Sequence, residues 1–182
     1  MRKNSFIQGA LILTVAGIIV KFIGAFSRIY LSRLLGGEGI GLYQMAYPIY
    51  LLCLSVSSAG LPVAISIMVA ERNAVNDYNG GQKVFRISMA ALVMTGLFFS
   101  VLLFFGSQWL VDTGIVRDPR AYWSLLALSP AVFCATLLAT LRGYFQGHGT
   151  MIPTAISQIL EQVINAIISV VAASVLFKVG LD

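Results

Sequence analysis

Lys21 and Arg28 interrupt the apolar run from Phe6 to Leu35, which also holds Arg33. A charged side chain at membrane depth costs at least about 3 kcal/mol, so it marks a functional site by default. At about 100° per residue, Thr14, Gly17, Lys21, Gly24 and Arg28 fall within an arc of about 80° on one helix. That face is small, polar and cationic, and it must avoid lipid. An ammonium and a guanidinium together offer positive charge and several donors, which suits phosphate. The competing role is snorkelling, or neutralising a structural carboxylate. It fits Arg33, near the end of the run, better than Lys21, which has apolar sequence on both sides.

Two more polar stripes accompany the first. Between Ile152 and Phe177, Glu161 is the only charge. Thr154, Gln158, Glu161, Gln162, Asn165 and Ser169 share a face of that segment. Between Gly39 and Ala70 lie Pro48 and Pro62, the latter in Ala59-Gly60-Leu61-Pro62. Proline removes a helical hydrogen bond and kinks the chain, so Gly60 and Pro62 are hinge candidates. On a continuous helix Ser55, Ser58, Pro62 and Ser66 share a face. A broken polar helix at membrane depth is tolerated where it lines a cavity or is buried in protein. Ser55 and Ser58 are therefore cavity candidates, or else they satisfy the carbonyls that proline frees.

The elements that must position these residues follow from composition. The chain has 182 residues, of which 58% are hydrophobic and 10% charged; its mean hydropathy is +0.89. Soluble domains carry about 25% charged residues, so this is an all-α integral membrane protein. A spanning helix needs about 20 apolar residues. Reading for such runs gives five transmembrane helices, about 6–35, 43–70, 87–111, 121–142 and 152–177, in a single transmembrane domain over 1–182. Gly- and Asn-rich turns mark the connections at 36–42 and 71–86. Phe98, Phe99, Phe104 and Phe105 make the third helix the best candidate for facing lipid, and Trp109 and Trp123 suit the interface.

The net charge of +5 reads as topology rather than nucleic-acid binding. With a cytoplasmic N-terminus, Arg2, Lys3, Arg72, Lys83, Arg86 and Arg142 fall inside, against Arg33, Arg117, Arg120 and Lys178 outside. The C-terminus is then outside the cell membrane. Met1-Arg2-Lys3 resembles the start of a signal peptide, but no convincing cleavage site follows the apolar run. Cys53 and Cys134 read as buried free thiols. His148, in a polar loop, is a poor metal ligand alone. Gly143-x-x-x-Gly147 reads as a turn at a helix end rather than a packing seam. Gly36-Gly37-Glu38-Gly39 lacks the Lys-Ser/Thr that a phosphate-binding loop requires.

Three segments carry a family resemblance: Arg28–Tyr50 (RIYLSRLLGGEGIGLYQMAYPIY), Ser55–Glu71 (SVSSAGLPVAISIMVAE) and Leu141–Gln162 (LRGYFQGHGTMIPTAISQILEQ). They resemble the N-terminal part of the polysaccharide biosynthesis transporters, most closely the stage V sporulation protein B group. That group belongs to the multidrug/oligosaccharidyl-lipid/polysaccharide exporter superfamily. The resemblance implies part of the N-terminal lobe of a flippase fold, with two lobes around a cavity that works by alternating access. It implies a polyprenyl-diphosphate-linked sugar as substrate, in peptidoglycan, spore-cortex or polysaccharide synthesis. Cationic residues on the first helix of the flippase relatives face that cavity. Lys21 matches one such position, and Arg28 lies one residue from a second.

Five helices fall short of a lobe, so the expectation is an incomplete N-terminal fragment that does not transport alone. Its partners would be the bilayer, the lipid-linked substrate and the missing helices or other chains, with no nucleic acid. No cofactor or metal is expected, and a coupling ion or the membrane potential stays open. The expected cavity residues are Lys21, Arg28, Thr14, Ser55, Ser58, Glu161 and Asn165. Alternatives are a cation-coupled multidrug exporter, for which the first helix lacks carboxylates, and a truncated non-transporting membrane protein. An enzyme would need clustered acids or a His/Asp pair, and the longest loop offers only Glu71 and Asp77.

Overall fold

In a computed structural model, which describes residues 3–58 and 60–178 and the side chains of 7–37, 39–58 and 60–174, the chain is helical. The side chains of Arg2, Lys3, Glu38, Lys178 and Asp182 lie outside the described residues. Five elements follow in order: α1 (Lys3–Ser58), α2 (Leu61–Ala74), α3 (Tyr78–Asp112), α4 (Ala121–Gly147) and α5 (Ile152–Lys178). Among the described residues, five stretches are long and apolar enough to cross a membrane: Ile7–Gly37, Gly39–Ala74, Tyr78–Asp112, Ala121–Gly147 and Ile152–Ser174. The molecule is an all-α membrane protein.

The connection expected over 36–42 shrinks to one residue. α1 is two helices joined at Gly36, whose φ of 68° and ψ of −177° break the helical path. The second span, in turn, is not one helix. It is interrupted after Ser58, and α2 restarts behind Gly60, in the left-handed region at φ 74°. Pro62 sits in the first turn of α2, where its missing N–H is no loss. The amides of Val63 and Ala64 donate to the Gly60 carbonyl at 3.1 and 3.2 Å.

The chain divides into two compact units, 1–41 with 149–182, and 42–148. In the second unit α2, α3 and α4 pack against one another. One cluster joins Ala46, Cys53, Leu103, Ala121, Leu125 and Val132, and another joins Ile65, Val69 and Leu92. α4 turns a line of small residues inward: Ser129, Thr136, Thr140, Gly143 and Gly147 are all buried. Gly143-x-x-x-Gly147 is therefore a packing seam, contrary to its reading as a turn. A Cβ on Gly143 would stand 2.5 Å from the Pro62 carbonyl oxygen, and one on Gly147 2.8 Å from that of Ser66. Small residues at this spacing let two helix backbones approach closely.

Hydroxyls repair the backbone where helices are interrupted. Pro130 inside α4 has no N–H for the Leu126 carbonyl, and Ser129 Oγ donates to that oxygen at 2.9 Å. Ser100 Oγ of α3 donates to the Ser129 carbonyl at 2.8 Å. Near the α1–α2 break, Thr95 Oγ1 donates to the Ser57 carbonyl at 3.3 Å. The turn into α3 is tied by an exposed Arg72–Asp77 ion pair at 3.3 Å and capped by the Gly80 amide donating to Asp77 Oδ1 at 2.8 Å.

Two expectations for the apolar surface change. Phe98, Phe104 and Phe105 are exposed, but Phe99 packs against the core cluster of the second unit. Cys53 is buried, whereas Cys134 is exposed because it lies off the inward line of α4.

Candidate functional site

The first unit holds α1 as far as Gly41 and the whole of α5. Both face each other with small or slender side chains. A Cβ on Gly9 would stand 2.7 Å from Met151 Cγ, and one on Gly24 3.0 Å from Gln162 Nε2. Both contacts advance in the same chain direction, so the two helices run parallel. Ala16 of α1 and Ala155 and Ala173 of α5 are buried.

This arrangement fixes where the polar stripes point. Taking about 100° per residue, Thr14, Lys21 and Arg28 lie roughly a quarter-turn clockwise from the α1 contact residues, viewed from the N-terminus. Glu161 lies roughly a quarter-turn anticlockwise from the α5 contact residues, and Asn165 a little less. For two parallel helices facing each other, opposite rotations lead to the same side. The two stripes therefore flank one side of the pair. The same reasoning puts Arg33 on the opposite side. There a groove of about 590 Å³ is lined by Phe26, Ser27, Ile29, Tyr30, Arg33 and Val170.

Lys21, Arg28, Thr14, Glu161 and Asn165 are exposed on the first unit. Their polar atoms are not equally available. Thr14 Oγ1 donates to its own helix at the Ala10 carbonyl, 2.9 Å away. Ser169 Oγ donates to Asn165 Oδ1 at 3.0 Å, one turn apart on α5.

Ser55, Ser58, Gly60 and Pro62 belong to the other unit. Ser55 Oγ donates to the Leu52 carbonyl at 2.9 Å and Ser58 Oγ to the Leu54 carbonyl at 2.8 Å. These bonds lie within their own helix, and the Ser57 carbonyl, one residue before the end of α1, accepts from Thr95 of α3 instead. The shared face expected for Ser55, Ser58, Pro62 and Ser66 assumed a continuous helix. The left-handed residue at Gly60 resets the phase between the two pairs.

Sequence reasoning missed Thr95 and the inward line of α4. The α4 line had a signal, small residues at spacings of three and four from Ser129 to Gly147. Thr95 had none beyond being a hydroxyl in an apolar run. His148 Nδ1 lies 3.0 Å from the Tyr144 carbonyl at the end of α4. Among the described residues no cluster of His, Cys, Asp and Glu could hold a metal.

The α1–α5 pair thus presents cations on one edge of a side and a carboxylate and a carboxamide on the other. The chain belongs to the polysaccharide biosynthesis protein family, whose profile matches residues 6–179. It is 36% identical to stage V sporulation protein B of Bacillus subtilis, over 100% of this chain and 35% of that protein. It is 28% identical to lipid II flippase MurJ of Bacillus subtilis, over 83% of this chain and 29% of the relative. An uncharacterized membrane protein, YabM, of the same organism is 28% identical over 84% of this chain and 28% of its own length. The chain thus spans about a third of the length of these curated relatives. No solved structure gives a significant match.

Proposed function

We propose that the chain contributes the first helices of a flippase for lipid-linked sugars, and that Lys21 and Arg28 hold the diphosphate of the substrate. The observation that carries this reading is the exposed side of the α1–α5 pair, where both cations stand clear of the packed seam. Two cations about 10 Å apart along a helix span a diphosphate and its neighbourhood, and phosphate binds such donors strongly. The lipid tail stays in the bilayer, so only the charged sugar head requires a polar path.

The family and its flippase relative support this substrate class. Gly60 and Pro62 are the hinge of the reading, since α2 restarts there at membrane depth. The charge count supports a cytoplasmic N-terminus and an outward C-terminus. A cavity between two lobes needs more helices than these five. They come from further sequence or from other chains, and the 182 residues do not transport alone.

The test is complementation. Lys21→Glu, in a context that rescues a flippase-deficient strain, should abolish rescue while the protein still reaches the membrane. Undiminished rescue by Lys21→Glu, or flipping of a labelled lipid-linked oligosaccharide by the purified chain alone in liposomes, would refute the corresponding part of the proposal.

A further inference from the structure

We infer that Asn165, steadied by Ser169, is a sugar-recognising residue of the same site, reading hydroxyl groups next to the phosphates held by Lys21 and Arg28. This rests on the lipid-linked-sugar reading above and adds a specificity determinant to it. Three observations carry it.

The first is placement. The Gly24–Gln162 contact sets the register of the parallel pair. Arg28 and Asn165 each lie about one turn beyond that contact, so they stand at the same level. The opposite rotations of the two stripes put both on the same side. A ligand held by Arg28 therefore has Asn165 across the seam as a neighbour.

The second is chemical complementarity. Lysine and arginine only donate hydrogen bonds. Thr14, the other polar side chain of that stripe, spends its hydroxyl hydrogen on the Ala10 carbonyl. The α1 edge thus suits phosphate oxygens, and the one side-chain acceptor on its stripe, the Thr14 oxygen, lies about 21 Å along the helix from Arg28. A carboxamide both donates and accepts, and on this side it comes from α5.

The third is preorganisation. Ser169 Oγ holds Asn165 Oδ1 at 3.0 Å. The bond leaves both amide hydrogens and a second lone pair on the oxygen for a ligand. The residue is exposed, so a ligand can reach it. A group fixed before binding loses less conformational freedom when it binds.

The experiment compares two ligands on the purified 182-residue chain in detergent by native mass spectrometry: a polyprenyl diphosphate, and the same lipid bearing a sugar. The wild-type chain should prefer the glycosylated lipid. Asn165→Leu should remove about tenfold of its affinity for that lipid, the scale of one or two hydrogen bonds, and leave the bare diphosphate unchanged. Asn165→Gln should recover part of the preference, and Ser169→Ala should lose part of it. Lys21→Glu should weaken both lipids together.

Three results would overturn the inference: an unaltered ratio in Asn165→Leu, an equal loss for both lipids in a variant with wild-type helical content, or no preference in the wild type. A wild-type chain that binds the bare diphosphate without preference for the sugar refutes this inference alone. A chain that binds neither lipid refutes the diphosphate reading as well.

Discussion

Gly24 meets Gln162 across the α1–α5 seam so closely that a Cβ on the glycine would stand 3.0 Å from the amide nitrogen. The neighbour is the far end of a flexible side chain, which can retreat. Gly24→Ala should therefore be nearly neutral, within about 0.5 kcal/mol. Gly24→Leu has no such escape, because its added carbons enter the seam itself. It should cost about 1–3 kcal/mol and weaken binding of a polyprenyl diphosphate, read from detergent melting and native mass spectrometry. A Gly24→Leu chain with wild-type melting and binding would show that the seam is not closed.

Gly143 presents the opposite case. Its missing Cβ would meet the Pro62 carbonyl oxygen at 2.5 Å, and backbone cannot swing aside. Gly143→Ala should thus cost more than Gly24→Ala, about 1–3 kcal/mol. The measurement is the melting midpoint of the two single alanine variants side by side. Equal midpoints would contradict the α2–α4 seam.

Ser129 and Pro130 form a testable pair. Ser129→Ala strips the Leu126 carbonyl of the donor that replaces the missing proline N–H, at a cost of about 1 kcal/mol. In a Pro130→Ala background an amide returns to that carbonyl, so the same serine change should cost much less. A double-mutant cycle read by thermal unfolding gives the coupling. Strict additivity would mean that the hydroxyl is not standing in for the amide.

How much of this was readable in advance depends on which physical signal each feature leaves. The five spans were legible because long uncharged runs have few other uses. The cationic stripe of α1 was legible because Lys21 and Arg28 are one heptad apart, and helical periodicity fixes their common face. Its neighbour was not legible. Nothing local in Gly24 or Gln162 announces that the two will touch, and the parallel contact is what brings Asn165 level with Arg28. The break near Gly60 was half legible. Pro62 signalled an interruption, but only the left-handed glycine showed that the angular phase restarts, which separates Ser55 and Ser58 from Pro62 and Ser66. Gly143 misled because its place near the end of α4 resembled a turn, while its spacing from Gly147 carried the contrary signal.

The division of the chain into two units has a consequence for the order of synthesis. One unit is a continuous stretch, Leu42–His148, whereas the other joins the beginning of the chain to its end. The first span leaves the ribosome bearing Lys21 and Arg28 long before its partner helix exists. At about 5–20 residues per second, the roughly 100 intervening residues impose a delay on the order of 5–20 s. Throughout that interval the face that Gly9 and Gly24 turn toward Met151 and Gln162 has no partner from its own unit. The seam of the first unit therefore closes last, only once the sequence around Ala155 and Gln162 has emerged.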